Sequence, residues 1–222
     1  MRYLLSFGLF LLLFTAKGQS FPSQEWKYGE AVLTSGDTIK GIMRYNLQDQ
    51  FIQLSGPEKI TTFNASQLST FFIKHNARRN RVFYSLPTRN KAGYTQPTLF
   101  EMLRAGDVSL LGREYIAITT AFTNFSIIRP MDVQLANLRQ SAGTGVKFLA
   151  YNLYLAKPDG EIVELGDTQR DLFDAFGDKR VELKKYIRKM GLNLYNVYDY
   201  ALVLRYYNSI NDSNATTEGS DT

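Results

Sequence analysis

The chain has 222 residues, with 26 lysines and arginines against 21 aspartates and glutamates, a net charge of +5, one histidine and no cysteine. The missing cysteines exclude disulfides, thiolate metal sites, a cysteine nucleophile and a lipidated N-terminal cysteine, and a single histidine excludes a histidine-rich metal centre. The weak basic balance contains no block of like charge of the kind that marks a nucleic-acid arm, so no nucleic-acid partner is expected.

Residues 1–18 have the three parts of a secretory signal. Arg2 supplies the positive start, residues 3–14 are apolar except for Ser6 and Gly8, and Ala16-Lys17-Gly18 puts small residues where a signal peptidase reads, so cleavage is expected between Gly18 and Gln19. A membrane-spanning anchor needs about 20 apolar residues, more than this run offers. Losing residues 1–18 removes Arg2 and Lys17 and no acid, which lowers the net charge from +5 to +3. The expected product is exported, periplasmic or extracellular, and touches membrane at most by its surface. Export without disulfides fits a bacterial envelope. About 200 residues bury one sizeable core, and the expected division is a β-domain at 19–166, a helical cap packed on its sheet at 167–210, and a disordered polar tail at 211–222.

Residues 19–25 read as a short polar leader, with structure beginning at Trp26, the only tryptophan. Residues 26–34 and 38–46 alternate about the turn Ser35-Gly36-Asp37, with Ile39, Gly41, Met43 and Tyr45 on one face of the second strand. Residues 51–54 and 60–63 form a second pair joined through Ser55-Gly56-Pro57-Glu58. A third pair, 68–74 and 81–86, is expected to end at Pro87. Residues 98–118 hold two runs that are apolar on both faces and meet at Gly106-Asp107, the signature of a buried central hairpin with a tight positive-φ turn. A strand apolar on both faces is covered twice, and the C-terminal helices are the expected cover for the second face. Residues 120–145 have no sustained period and are expected to be a loop or to hold a short helix at 132–140. Strands return at 146–157 and 162–165 about Pro158-Asp159-Gly160, where proline presets φ and glycine takes the left-handed position.

After Asp167 the apolar spacing becomes helical: Leu172 and Phe176, then Leu183, Ile187, Met190 and Leu194. Asp167 or Thr168 is suited to cap the first helix, Asp178 lies near the start of the second, and Gly191 suits its end. A third helix at 197–210 is apolar around most of its circumference and requires burial on more than one side. The expected fold is α+β: an antiparallel β-meander, as a sandwich or partly open barrel, followed by about three helices.

The stretches WKYGEAVLTSGDTIKGIMRY, LFEMLRAGDVSLLGREY and LFDAFGDKRVELKKYIRKMGLN with RYYNSI together resemble a set of uncharacterised exported proteins of Bacteroidota. The resemblance implies an envelope location and a β-rich domain with C-terminal helices, and brings no activity or site residue with it.

The chemistry in the sequence is mostly absent motifs. His75 sits beside Lys74 with Arg78 and Arg79 nearby, and no G-x-S-x-G elbow accompanies it; there is no P-loop or G-x-G-x-x-G after a strand, and no calcium-loop spacing. No catalytic, cofactor or metal residue is therefore expected. Two features stand out. Lys179, Arg180, Lys184, Lys185, Arg188 and Lys189 put six positive charges on the second helix, either a solvated face or a contact for an anionic partner such as a lipid headgroup or polysaccharide. Glu101 and Glu114 are the acids inside the central strands. A two-residue turn sets Glu101 opposite Gly112 and puts both glutamates on one face, within reach of general acid–base work on a glycosidic bond. A three-residue loop instead pairs Glu101 with Arg113 in a structural ion pair. The 14 tyrosines and 15 phenylalanines fill a core or form a platform for a glycan or protein. The function these features favour is an exported cell-envelope binding or structural interaction module without catalytic activity, with an envelope protein or glycan as partner. The alternative is a carboxylate-dependent hydrolase of envelope glycans.

Overall fold

The computed structural model describes residues 21, 25–76, 79–89, 92–119, 146–166 and 169–218. The expected signal at 1–18, the helix expected at 132–140 and the capping residues Asp167 and Thr168 lie outside them. Ten strands make one antiparallel sheet: β1 (Lys27–Leu33), β2 (Thr38–Asn46), β3 (Phe51–Ser55), β4 (Ile60–Asn64), β5 (Leu68–Asn76), β6 (Arg79–Arg89), β7 (Thr95–Arg104), β8 (Ser109–Thr119), β9 (Val146–Ala156) and β10 (Ile162–Glu164). Three helices follow, α1 (Gln169–Ala175), α2 (Arg180–Met190) and α3 (Val197–Glu218), so α3 continues past Ile210 into the polar stretch expected to be disordered.

The meander is broken once. The sheet order is β10-β9-β8-β7-β6-β5-β1-β2-β3-β4, because β5 returns to pair with β1 and does not continue beside β4. Only a short 3-10 turn, Ala65–Gln67, joins β4 to β5. In a flat sheet those strands would stand about 19 Å apart, beyond the roughly 14 Å that four extended residues reach. The sheet therefore curls. Thr34 N–H donates to Gln67 O at 2.9 Å and Ser85 Oγ donates to Ala65 O at 2.7 Å, fastening the rolled first half, and the sheet does not close into a full barrel.

A fork opens between β7 and β8. Their pairing begins beside the turn and ends at Glu101 opposite Gly112, after which the start of β7 pairs with β6 alone and the end of β8 with β9 alone. The β2–β3 loop enters this gap. Leu99 N–H donates to Gln50 Oε1 at 2.5 Å, the Gln50 amide donates to Leu47 O, and Arg113 Nη2 donates to the same carbonyl at 3.0 Å. Gln50 holds this position with φ +60, the one non-glycine positive φ among the described residues.

The inner face carries two apolar cores. One, within the curl of β1–β7, is built on Met43, Ile52, Leu68, Phe71 and Phe83, with Phe71 and Phe83 stacked at 4.4 Å. The other joins Leu110, Leu149, Leu153 and Leu155 to Leu172, Phe176, Leu183, Val203 and Leu204 of the helices. The helices thus cover the inner face of β8 and β9. They do not form the small outer cluster of Phe100, Leu111 and Tyr154 on the hairpin's other face, where Tyr154 packs edge-on to Phe100 at 5.0 Å.

Three local expectations change. Phe21, read as part of a polar leader, is buried in the helical core. Pro87 does not end β6; it pairs with Pro97 inside the β6–β7 ladder, a position that requires no N–H from either ring. Gly106 is not among the positive-φ glycines, and a bulge at Leu103 turns the tight hairpin into a four-residue loop. A Cβ at Gly106 would lie 2.2 Å from Asn208 Nδ2, so any larger residue there must displace that side chain. Asn208 clasps the loop through Val108, accepting from its N–H at 3.2 Å and donating to its carbonyl at 2.9 Å. Elsewhere local chemistry behaves as expected: Gly160 has φ +87, and Gly191 closes α2 with φ +62.

Candidate functional site

Beside the loop Arg104 meets Leu110, one residue off what a two-residue turn sets, and the bulge at Leu103 cancels that offset, so Glu101 lies opposite Gly112 and shares the inner face with Glu114. Arg81, on β6 in phase with Phe83, reaches the same place. Its Nε and Nη2 donate to Glu101 Oε1 and Oε2 at 2.9 and 2.6 Å, and Nη2 also meets Glu114 Oε2 at 2.6 Å. Tyr45, arriving from β2 across the curl, accepts from Arg81 Nη1 and donates to Glu114 Oε1. Tyr151 on β9 donates to Glu114 Oε2 at 3.1 Å and accepts from Arg81 Nη2 at 3.4 Å. The guanidinium stands 5.0 Å from the Tyr45 ring centre and 5.1 Å from that of Phe83, so its apolar surroundings are aromatic.

All five side chains are buried, where the two apolar cores meet. Burial pushes the Tyr45 hydroxyl well above its usual range, against the pull of Arg81, so it serves as a donor. Burial opposes the charge on Arg81, but Glu101 and Glu114 outweigh it and hold the guanidinium protonated. The ion-pair partner is Arg81, not the Arg113 that the alternative register had offered; Arg113 turns to Leu47.

A cleft of about 220 Å³ lies beside Glu114, lined also by Arg44, Tyr45, Leu47 and Ile116. Glu101 lies instead on a second, smaller cavity of about 40 Å³ with His75, Arg79 and Tyr198. Neither of these two spaces is lined by both carboxylates, and the Arg81 guanidinium lies between them. Chemically the arrangement is a satisfied buried ion cluster that ties together β2, β6, β7, β8 and β9.

The six cations on and before α2 fall into two sets. Lys179 pairs with Asp178 at 3.9 Å, Arg180 with Asp174 at 3.5 Å, and Lys184 lies 4.9 Å over the Phe173 ring. Lys185, Arg188 and Lys189 are exposed and form no ion pair among the described residues. The tyrosines around α3 are absorbed by packing: Tyr200 is buried, Tyr206 stacks on Tyr186 at 4.1 Å, Tyr207 meets Phe176 at 4.5 Å, and Tyr198 lies under Arg79.

The outer face of the first half differs. Tyr28 of β1 stands opposite Ile42 of β2, while Phe72, Val82 and Tyr84 continue the same face across β5 and β6. Trp26 lies at the near end under the Arg44 guanidinium, 4.8 Å away. Trp26, Tyr28, Ile42 and Tyr84 are 36 to 46% exposed. From the register these side chains form a diagonal apolar band across four strands, about 20 Å long, flanked by the Lys40–Glu30 ion pair at 2.9 Å.

No family model matches the chain, and neither the curated proteins nor the solved structures contain a match. The geometry therefore carries the functional argument. Sequence reading missed Arg81 and Tyr45 as partners of the glutamates. The signal was their phase, since each sits on the apolar side of its strand, where a polar group needs a buried partner.

Proposed function

We propose that the chain is an exported cell-envelope binding module without catalytic activity, and that it takes an elongated glycan along the diagonal band on the outer face of β2, β1, β5 and β6. The observation that carries this reading is the solvent-exposed row from Trp26 through Tyr28 to Tyr84, with Ile42 beside it. A contiguous apolar surface rimmed by charge is a common mark of an interaction site. Flat aromatic side chains stack on sugar rings without reorganising, and Arg44, Lys40 and Glu30 supply polar contacts at the edges. The signal-like residues 1–18 support export, and the resemblance to exported Bacteroidota proteins supports an envelope location. The hydrolase reading loses its support because Glu101 and Glu114 are both engaged by Arg81.

Trp26 is the only tryptophan, so its fluorescence reports on the band directly. Titration with envelope polysaccharides is expected to shift the emission, and Tyr28→Ala with Tyr84→Ala to weaken binding at least tenfold. Unchanged emission across neutral and charged glycans, with no loss in the double variant, would refute the band as a glycan site. Intact mass of the exported protein is expected to begin at Gln19.

A further inference from the structure

α2 presents a second surface that shares no residue with the band. Between Arg180 and Met190 it carries five cations and one acid, Glu182. At 100° per residue, Val181, Lys184, Lys185 and Arg188 lie on one side of the helix, with Lys189 adjoining, while Leu183 and Ile187 lie on the other. Packing agrees with that division: Leu183 is buried and Ile187 packs against the helical core. Lys185, Arg188 and Lys189 have neither an acid partner nor a ring contact among the described residues, whereas Arg180 pairs with Asp174 and Lys184 lies over the Phe173 ring. In their midst Val181 is 61% exposed, and Met190 at the end of the helix is 54% exposed.

A solvated helix face needs no apolar side chain at its centre, and a purely polar polyanion gives valine nothing to enter. An anionic bilayer accommodates both features. Headgroups neutralise the cations, lysine and arginine stems reach outward to them, and a small apolar side chain enters the boundary with the acyl chains. We propose that α2 seats the protein on an anionic membrane surface, with Lys185, Arg188 and Lys189 on the headgroups and Val181 as the inserted residue. No helix among the described residues is long and apolar enough to cross a membrane, so this contact lies in the plane of the surface.

The test is co-sedimentation of the purified chain with phosphatidylcholine vesicles, with and without phosphatidylglycerol. The apolar N-terminal run and its cations Arg2 and Lys17 are the same in the parent and in every variant, so the loss on substitution reads the contact made by α2. Binding is expected to require phosphatidylglycerol and to be reversed by salt. Replacing Lys185, Arg188 and Lys189 with glutamine is expected to weaken it about a hundredfold, following the usual contribution per basic residue, and Val181→Ser severalfold. All four residues are exposed, and an unchanged thermal midpoint checks that the variants fold. Equal binding to the two vesicle types, or unchanged binding by the triple variant, would overturn the proposal. So would capture by dextran sulfate that Val181→Ser leaves intact, with no vesicle binding, which would identify α2 as a polyanion site.

Discussion

Tyr45 on β2 donates its phenolic hydrogen to Glu114 on β8, although the two strands stand five positions apart in the sheet order. In a flat sheet that separation is about 24 Å. The bond exists because the sheet rolls over, and it lies where the two apolar cores meet. Arg81, between Glu101 and Glu114, makes the same junction electrostatically tolerable. The cluster is therefore expected to govern stability more than activity.

Arg81→Met leaves two buried carboxylates without their cation and is expected to destabilise the fold by about 3 to 5 kcal/mol. Replacing Arg81, Glu101 and Glu114 with apolar residues of similar volume, and both tyrosines with phenylalanine, is expected to recover most of that loss, because no buried polar group is then orphaned. Urea unfolding of the parent and the two variants measures both. A five-residue variant no more stable than Arg81→Met would show that the cluster contributes more than mutual neutralisation.

Tyr45→Phe removes a donor from Glu114 and an acceptor from Arg81, with an expected loss of about 1 to 3 kcal/mol near neutral pH. The pH dependence has a definite sign. Because burial raises the Tyr45 pKa in the folded state, the unfolded chain releases this proton first, near its ordinary value of about 10. The stabilisation is fully present below that pH and declines as the pH rises above it. Urea midpoints at pH 9 and pH 11 are expected to fall further in the parent than in Tyr45→Phe; equal falls would remove Tyr45 from the alkaline limb.

Gln50 combines a strained backbone with a useful side chain. Gln50→Ala keeps φ positive and orphans Leu99 N–H, for an expected loss of about 2 to 3 kcal/mol. Gln50→Gly loses the same hydrogen bonds but relieves the left-handed strain, worth about 1 kcal/mol, so the stability order is expected to be parent, glycine, alanine. Faster hydrogen exchange at the Leu99 amide in both variants would locate the effect at the fork.

Gly106 and Asn208 are expected to be coupled. Gly106→Ala drives a methyl group into Asn208 Nδ2 and forces Asn208 off both of its bonds to Val108. The expected loss is about 1 to 2 kcal/mol. In an Asn208→Ala background the same substitution is expected to be nearly neutral, and a double-mutant cycle by chemical unfolding measures the difference. Additive losses would mean that the loop does not rest on α3 in this way.

Local pattern made much of this legible in advance. Alternation located the paired strands, the change to helical spacing located α1 to α3, and Gly160 and Gly191 announced a turn and a helix end because only their own backbone conformations were at stake. Counting back from a two-residue turn also put Glu101 opposite Gly112, but that turn does not form: beside the wider loop Arg104 meets Leu110, one residue off, and the bulge at Leu103 cancels the offset. Tertiary structure decided what those residues meet. The return of β5 to β1, the entry of Gln50 between β7 and β8, and the arrival of Tyr45 and Arg81 beside the glutamates depend on which strands pair and how far the sheet curls. Side-chain phase along a strand says that Arg81 is buried; only the curl, set by strands distant in sequence and by a short 3-10 connection, determines which carboxylates are there to receive it.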